Sequence, residues 1–233
     1  MPKGDQRIYV AGHRGLVGSA IVRQLEAVGN DNWIGATRDE LNLCEREAVF
    51  DFMGQQRPTA VIIAAAKVGG IVANNNFPVE FLSETVQVQT NLMDAAHKFD
   101  VEHLVFLGSS CIYPKFAPQP ISEDSLLTGP LEETNEAYAI AKIAGVKLVQ
   151  AYRKEFGRKW TSAMPTNLYG PGDNFDPQSS HVLPALLRKF HEAKLAGLDS
   201  VTLWGSGTPR REFLHVDDLA SACLFLLKNY NFL

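Results

Sequence analysis

Arg7-Ile8-Tyr9-Val10-Ala11-Gly12-His13-Arg14-Gly15-Leu16-Val17-Gly18 decides the fold of this chain. Arg7 to Ala11 reads as a short buried strand. From Val17 to Val28, Leu16, Val17, Ala20, Ile21 and Leu25 recur on one face at helical spacing. A strand, a glycine turn and a helix follow one another here, the unit that opens a dinucleotide-binding fold. Gly12 permits the tight turn, Gly15 lets backbone approach a pyrophosphate, and Gly18 lets the helix sit close to the strand.

The same alternation continues along the chain. Strands are predicted at Arg7–Ala11, Trp33–Thr37, Ala60–Ala66, His103–Gly108, Thr161–Pro165 and Val201–Trp204. Helices are predicted at Val17–Val28, Glu45–Gln56, Pro78–Phe99 and Tyr138–Phe156, with a last one ending near Asn229. Near-continuous apolar strands between amphipathic helices predict an α/β protein with a doubly wound parallel sheet of Rossmann type, its ligand crevice at the carboxyl ends of the strands. Pro114 to Pro130 is the longest irregular stretch and reads as a loop over that crevice. A dinucleotide-binding domain over residues 1–170 and a partial substrate-binding portion over 171–233 are the expected organisation.

Composition bounds the function. The 233 residues are 45% hydrophobic and carry a net charge of -4. That suffices for a substantial core and argues against nucleic acid as the main partner. No apolar run approaches the roughly 20 residues that span a bilayer, and Met1 to Arg7 leads straight into the first strand, so a cytoplasmic protein with no membrane partner is expected. Cys44, Cys111 and Cys223 lack metal-ligand spacing, and no metal site is expected. Cys223 falls on a helical apolar stripe and reads as core, and Cys44 reads as structural.

Two further features carry chemistry. Tyr138 and Lys142 stand one helical turn apart, so an ammonium can stabilise the phenolate and bring the phenol proton within reach of neutral-pH chemistry. The same spacing also occurs on solvated helices. The predicted fourth strand ends in Leu107-Gly108-Ser109-Ser110-Cys111, delivering two hydroxyls and a thiol to the rim where Tyr138 lies. At the tip of the second strand, Arg38 and Asp39 sit where the fold meets the adenosine ribose. An acid there favours NAD, and an arginine, with Arg14 as a second cation, favours the 2'-phosphate of NADP; the two cations tip the reading to NADP.

The glycine turn, the strand-end serine and the Tyr-x-x-x-Lys helix together resemble the extended short-chain dehydrogenases/reductases. Within them, residues 11–20, Ala64-Ala65-Ala66-Lys67-Val68-Gly69-Gly70-Ile71-Val72-Ala73-Asn74, residues 108–114, 165–171, 180–187 and 204–218 resemble the GDP-L-fucose synthases. The resemblance runs from end to end. It implies conversion of GDP-4-keto-6-deoxy-D-mannose to GDP-L-fucose, by epimerisation at C3 and C5 and reduction of the C4 ketone with NADPH. It further implies Cys111 and His181 as the acid/base pair of epimerisation, with Ser109 and Tyr138 on the C4 oxygen and Lys142 on the nicotinamide ribose.

By the same resemblance the cofactor meets Gly12, His13, Arg14, Gly15, Leu16, Val17, Gly18, Arg38, Asp39, Leu41, Asn42, Leu43, Leu107, Gly108, Ser109, Ser110, Lys142, Pro165, Thr166, Asn167, Leu168 and His181. Lys189, Trp204 and Arg211 meet the GDP-sugar. From their residue types alone, Cys111 also fits a half-buried strand-end thiol, His181 a histidine bonded to backbone at a helix start, Ser109 a capping hydroxyl, and Arg211 a partner of Glu212. Lys189 stands where the family often has arginine, and a lysine cannot make the forked contact. The family is homodimeric, which makes Pro78–Phe99 and Tyr138–Phe156 the expected pairing helices. Family chains also continue past the helix ending near Asn229, so a C-terminally truncated substrate lobe is expected here, in a fragment or a shortened form. A nucleotide-sugar 4-epimerase or dehydratase, or an inactive cofactor-binding fragment, are the alternative readings.

Overall fold

A computed structural model describes residues 6–177, 179–203 and 205–229. In chain order the elements are β1 (Ile8–Ala11), α1 (Leu16–Ala27), β2 (Trp33–Ile34), α2 (Arg46–Gln56), β3 (Ala60–Ile63), α3 (Ile71–Asn76), α4 (Pro78–Lys98), β4 (His103–Leu107), α5 (Glu136–Phe156), β5 (Lys159–Ala163), β6 (Asn167–Tyr169), α6 (Val182–Leu195), β7 (Phe213–His215) and α7 (Val216–Asn229). β2-β1-β3-β4-β5 form one sheet in that spatial order, and every neighbouring pair is parallel. β6 and β7 pair in parallel as a separate two-stranded sheet.

Both faces of the large sheet are covered, because alternate strand residues point to opposite sides. Ile8, Val10, Ala60, Ile62, Val105 and Leu107 meet α1 and α7 in one apolar cluster. Tyr9, Ala11, Val61, Ile63, Leu104 and Phe106 meet α2, α4 and α5 in the other. Cys223 is buried in the first cluster, as expected of a core thiol.

The strand order reverses between β1 and β3, so the crevice opens at their carboxyl ends. Gly12 ends β1 there with φ +85°, and a Cβ on it would lie 2.8 Å from the Ala65 nitrogen just past β3. A Cβ on Gly18 would lie 2.0 Å from the Gly12 carbonyl oxygen, so α1 starts in direct contact with the turn. At Gly12 and Gly18 the close approaches read from the glycine spacing are thus present as steric contacts.

The boundaries differ from expectation in three places. β2 stops at Ile34 because the Thr37 amide donates to the Glu40 carboxylate at 2.8 Å, which turns the chain away from the sheet. Val201 to Leu203 form no strand; Thr202 and Leu203 are exposed, and the second sheet is built from β6 and β7 instead. β3 stops at Ile63, short of the expected Ala66, and the short helix α3 follows where no element was expected. Among the described residues no helix is long and apolar enough to cross a membrane.

α5 lies so close to β4 that Gly145 has no room for a side chain. A Cβ there would stand 2.4 Å from the Phe106 ring and 2.7 Å from Gln89 Oε1. In an open helix, alanine is favoured over glycine by about 1 kcal/mol. Here overpacking, typically about 1–3 kcal/mol, outweighs that gain. Gly145→Ala is therefore expected to lower stability by at least about 1 kcal/mol in urea unfolding. A gain in stability would refute the packing argument.

Candidate active site

The glycine turn presents an open, positive surface. Gly15 caps α1, is exposed, and a Cβ on it would come no closer than 3.4 Å to another atom, the Gly12 carbonyl oxygen. The first turn of α1 carries no acidic residue, so its amides remain suited to phosphate oxygens. Arg14 is exposed beside it. Leu16 and Val17 pack against the first cluster. The His13 ring lies where a Cβ on Gly35 would fall, 2.4 Å from its Cγ, so Gly35 is what makes room for it. Burial and Arg14 push His13 below the usual imidazole range, with Glu40 opposing.

At the adenosine end Arg38 and Asp39 are exposed, and the Arg38 guanidinium lies 3.5 Å from the Glu84 carboxylate. Leu41 turns its side chain into the core, and Leu43 packs against the same cluster. Asn42 Oδ1 accepts from the Cys44 amide at 3.2 Å. Asn91 donates to the carbonyls of Leu43 and Cys44 at 3.0 and 3.1 Å, fixing this loop on α4. The cradle therefore fits a dinucleotide with a charged 2' substituent: amides for the pyrophosphate and accessible guanidiniums at the ribose end.

The strand end supplies the reactive groups. Beyond Leu107, the Gly108 amide donates to the Ala163 carbonyl at 2.9 Å and the Ser110 amide to the Pro165 carbonyl at 3.2 Å. Ser109 caps a turn of 3-10 helix over Ser110–Ile112, its Oγ accepting from the Cys111 amide at 3.4 Å. α5 brings Tyr138 and Lys142 to the same place. Lys142 is buried, donates to the Leu107 carbonyl at 2.7 Å, and stands 4.8 Å from the Phe106 ring centre and 5.7 Å from that of Tyr138. Phe81 packs edge-on against Tyr138 with ring centres 6.1 Å apart.

Burial dominates the ionisation of this group. It pushes the Tyr138 phenol up, and a charge on Cys111 adds to that rise. It also pushes the Cys111 thiol up, opposed by the Ser109 hydroxyl and the Lys142 charge. Lys142 is pulled down to about 8 by burial, with Cys111 opposing. Thiol, phenol and ammonium thus form one electrostatically coupled set.

The other candidates stand on later segments. His181 is the exposed N-cap residue of α6; the surrounding chain pushes its imidazole below the usual range, and Asp173 opposes. Thr166 Oγ1 and Asn167 Nδ2 both donate to the Glu212 carbonyl, at 2.9 and 3.1 Å. Leu168 packs against the first cluster. Lys189 is half-buried on α6, and exposed Arg211 donates to the Arg210 carbonyl at 2.7 Å. Trp204 lies outside the described residues. The Lys142–Leu107 bond thus brings Tyr138 and Lys142 to the strand end that carries Ser109 and Cys111, whereas His181 and Lys189 are on α6 and Arg211 is on the segment before β7.

Three contributors carry no signal in the residue pattern: Gly35 beneath His13, Phe81 against Tyr138, and the Leu107 carbonyl as the partner of Lys142. Each depends on a contact distant in sequence. An open cavity of about 390 Å³ between Arg57, Phe99, Phe156 and Arg158 lies where β4 and β5 begin, at the opposite end of the sheet, and holds none of the candidates. Among the described residues no group of three His, Cys, Asp or Glu could hold a metal ion.

A model of the NAD dependent epimerase/dehydratase family matches residues 8–232. The chain belongs to that family. It is 60% identical over 231 residues to GDP-L-fucose synthase 1 of Arabidopsis thaliana, covering 99% of this chain and 72% of the relative. It is 57% identical over 223 residues to the GDP-L-fucose synthase of Escherichia coli (strain K12), covering 96% of this chain and 70% of the relative. These identities place it among the GDP-L-fucose synthases of the NAD dependent epimerase/dehydratase family. A solved structure of a GDP-L-fucose synthetase from Naegleria fowleri bound to NADP superposes with a TM-score of 0.85 at 33% identity, over 98% of this chain and 74% of that one.

The depressed Lys142 has a consequence for stability. A lysine whose folded pKa lies below its unfolded value makes stability rise with pH between the two, and that contribution is lost as pH falls through about 8. Between pH 8 and 10, urea unfolding of the protein without cofactor is expected to give a stability that climbs relative to Lys142→Met. The difference is at most about 1.4 kcal/mol per pH unit. Parallel pH profiles for the two proteins would show that Lys142 is not buried as a charge.

Proposed function

We propose that this protein converts GDP-4-keto-6-deoxy-D-mannose to GDP-L-fucose, epimerising C3 and C5 and then reducing the C4 ketone with NADPH. The observation that carries the reading is that Lys142, one turn from Tyr138 on α5, bonds to the Leu107 carbonyl at 2.7 Å, at the strand end whose next turn is capped by Ser109 and carries Cys111. A hydride-transfer site needs the phenol and the ammonium; a thiol built into the same cluster suits proton exchange at carbon. That argues for the two-step enzyme over a 4-epimerase or dehydratase, as does the similarity to GDP-L-fucose synthases.

The C4 ketone makes the protons on C3 and C5 acidic. Cys111 and His181 act as the pair, one taking a proton from carbon and the other returning one to the opposite face. A thiolate on Cys111 and the ammonium of Lys142 stabilise each other, which offsets part of the burial that raises the thiol. Ser109 and Tyr138 donate hydrogen bonds to the C4 oxygen and stabilise the negative charge that develops there in both steps. NADPH, when bound, supplies the hydride to C4. Tyr138 gives its proton to the oxygen, and Lys142 favours the tyrosinate that remains.

The glycine turn and α1 hold the pyrophosphate, and Arg14 and Arg38 the 2'-phosphate. Residues 1–170 form the NADP-binding part. Lys189, Trp204 and Arg211 belong to the GDP-sugar side, within 171–233. Exposed Val79, Leu82 and Ile140 on α4 and α5 suit pairing of two copies as a homodimer.

In deuterated water with NADPH and the keto sugar, Cys111→Ser is expected to lose deuterium uptake at C3 and C5 by at least about 10²-fold, while a pre-epimerised ketone is still reduced. Tyr138→Phe is expected to lose reduction by a similar factor with cofactor affinity kept. Full deuterium uptake in Cys111→Ser would overturn the assignment of the thiol. Arg38→Ala is expected to raise the KM for NADPH about tenfold, one lost charged contact, and to leave that for NADH unchanged. Equal effects on both cofactors would remove Arg38 from 2'-phosphate recognition.

A further inference from the structure

His181 is placed differently from the other reactive groups. Ser109 and Lys142 are bonded at the end of β4, but His181 heads a helix whose buried residues are Pro184 and Ala193 alone among the residues described. Before it, the Ser180 amide donates to the Asp176 carbonyl at 2.9 Å and the Ser179 amide to Asp176 Oδ1 at 3.0 Å, which shape the turn locally. A contact from the loop between β3 and α4 ties that turn to the body of the protein. The Gly70 amide, at the cap of α3, donates to the Ser179 carbonyl at 3.0 Å. A Cβ on Gly70 would stand 2.8 Å from the carbonyl oxygen of Ser180, the residue before His181.

The loop is itself tied down. Asn74 is buried, and its Nδ2 donates to the carbonyls of Gly69 and Gly70 at 2.7 and 3.1 Å, using both of its hydrogens. A Cβ on Gly69 would lie 3.1 Å from the Phe81 ring, which packs against Tyr138. Lys67 pairs with Glu80 on α4 and fixes the start of the loop. One short segment thus touches the support of Tyr138 on one side and the chain carrying His181 on the other.

We propose that Gly70 and Asn74 are positioning residues for His181: the Asn74 amide fixes the Gly69–Gly70 turn, and the Gly70 amide fixes the backbone that delivers the imidazole to the sugar. The inference rests on His181 being one of the two proton-exchange groups. A misplacement of about 1 Å at a reacting group costs on the order of 10²-fold. Reduction at C4, assigned to Ser109 beyond β4 and to Tyr138 and Lys142 on α5, depends less on this loop, because Lys142 bonds α5 to the Leu107 carbonyl.

The test compares Gly70→Ala, Asn74→Asp and His181→Asn with the unaltered protein. Each is assayed for deuterium uptake at C3 and C5, for reduction of the pre-epimerised ketone, and for the Kd of NADPH. Both loop variants are expected to lose uptake by at least about tenfold while reduction falls by no more than about twofold, and NADPH affinity, to which His181 contributes, falls by no more than it does in His181→Asn. Asn74→Asp keeps the side-chain volume but replaces both donated hydrogen bonds with a carboxyl oxygen that repels the Gly69 and Gly70 carbonyls, so it releases the turn without adding a Cβ at the Ser180 contact and decides where Gly70→Ala does not hold NADPH. Uptake and reduction falling by one factor overturns the proposal in favour of a purely structural loop. Unchanged uptake in the loop variants, with uptake lost in His181→Asn, overturns the latch and leaves the function standing. Uptake surviving in His181→Asn overturns both.

Discussion

The organisation of the site depends on one buried ammonium. A lysine charge withdrawn from water is tolerated where hydrogen bonds and polarisable groups replace the solvent. Lys142 has the Leu107 carbonyl at 2.7 Å and the Phe106 ring beneath it. That bond pins α5 to the carboxyl end of β4. Once it is made, the phenol one turn earlier on α5 and the thiol four residues after Leu107 have a fixed relation to each other. Ser109, between Leu107 and Cys111 in the chain, caps the turn that presents Cys111. The protein thus needs no dedicated scaffold for its thiol: the lysine that a reductase requires also sets the field in which the thiol ionises.

The second constraint is steric and lies at the other side of the crevice. Gly12 touches backbone past β3, and Gly18 touches Gly12, so β1, α1 and the start of the β3 loop occupy one tight corner. That corner leaves the α1 amides uncovered where the sheet order reverses. The two constraints share the sheet, since β1, β3 and β4 are consecutive neighbours. Cofactor cradle and reactive cluster are therefore held by one rigid body, as hydride transfer between a bound pyridine ring and a bound ketone demands.

How much of this was legible in the sequence follows from the range of the interactions. β1, its glycine turn and α1 are local, and each glycine's role could be read from spacing. Tyr138 and Lys142 share a helix, so their adjacency was also local. β2 was overextended because alternating residues continue to Thr37, while the Glu40 carboxylate that captures the Thr37 amide competes with the sheet through a side chain. The strand expected at Val201 was misplaced because a short apolar run does not say what it pairs with. β6 and β7 show the reverse: Asn167–Tyr169 and Phe213–His215 have little strand signal of their own and form because each supplies the other's hydrogen bonds. Ser109 takes the capping role that its residue type allowed, its Oγ accepting from the Cys111 amide.

What the sequence could not convey is the difference in how the two halves of the chemistry are held. The groups proposed for reduction stand at the end of β4 and on α5, which Lys142 bonds to that strand. The imidazole proposed for proton exchange heads α6, whose buried residues are Pro184 and Ala193 among those described, and the turn before it accepts a hydrogen bond from the Gly70 amide. A proton transfer at two different carbons of one sugar asks for a group that can meet both, whereas a hydride transfer to one carbon asks for a single fixed distance. A phenol on a helix bonded to the sheet and an imidazole on a separately anchored helix suit these two demands. The division of labour in the chemistry is thus already present as a division in the packing.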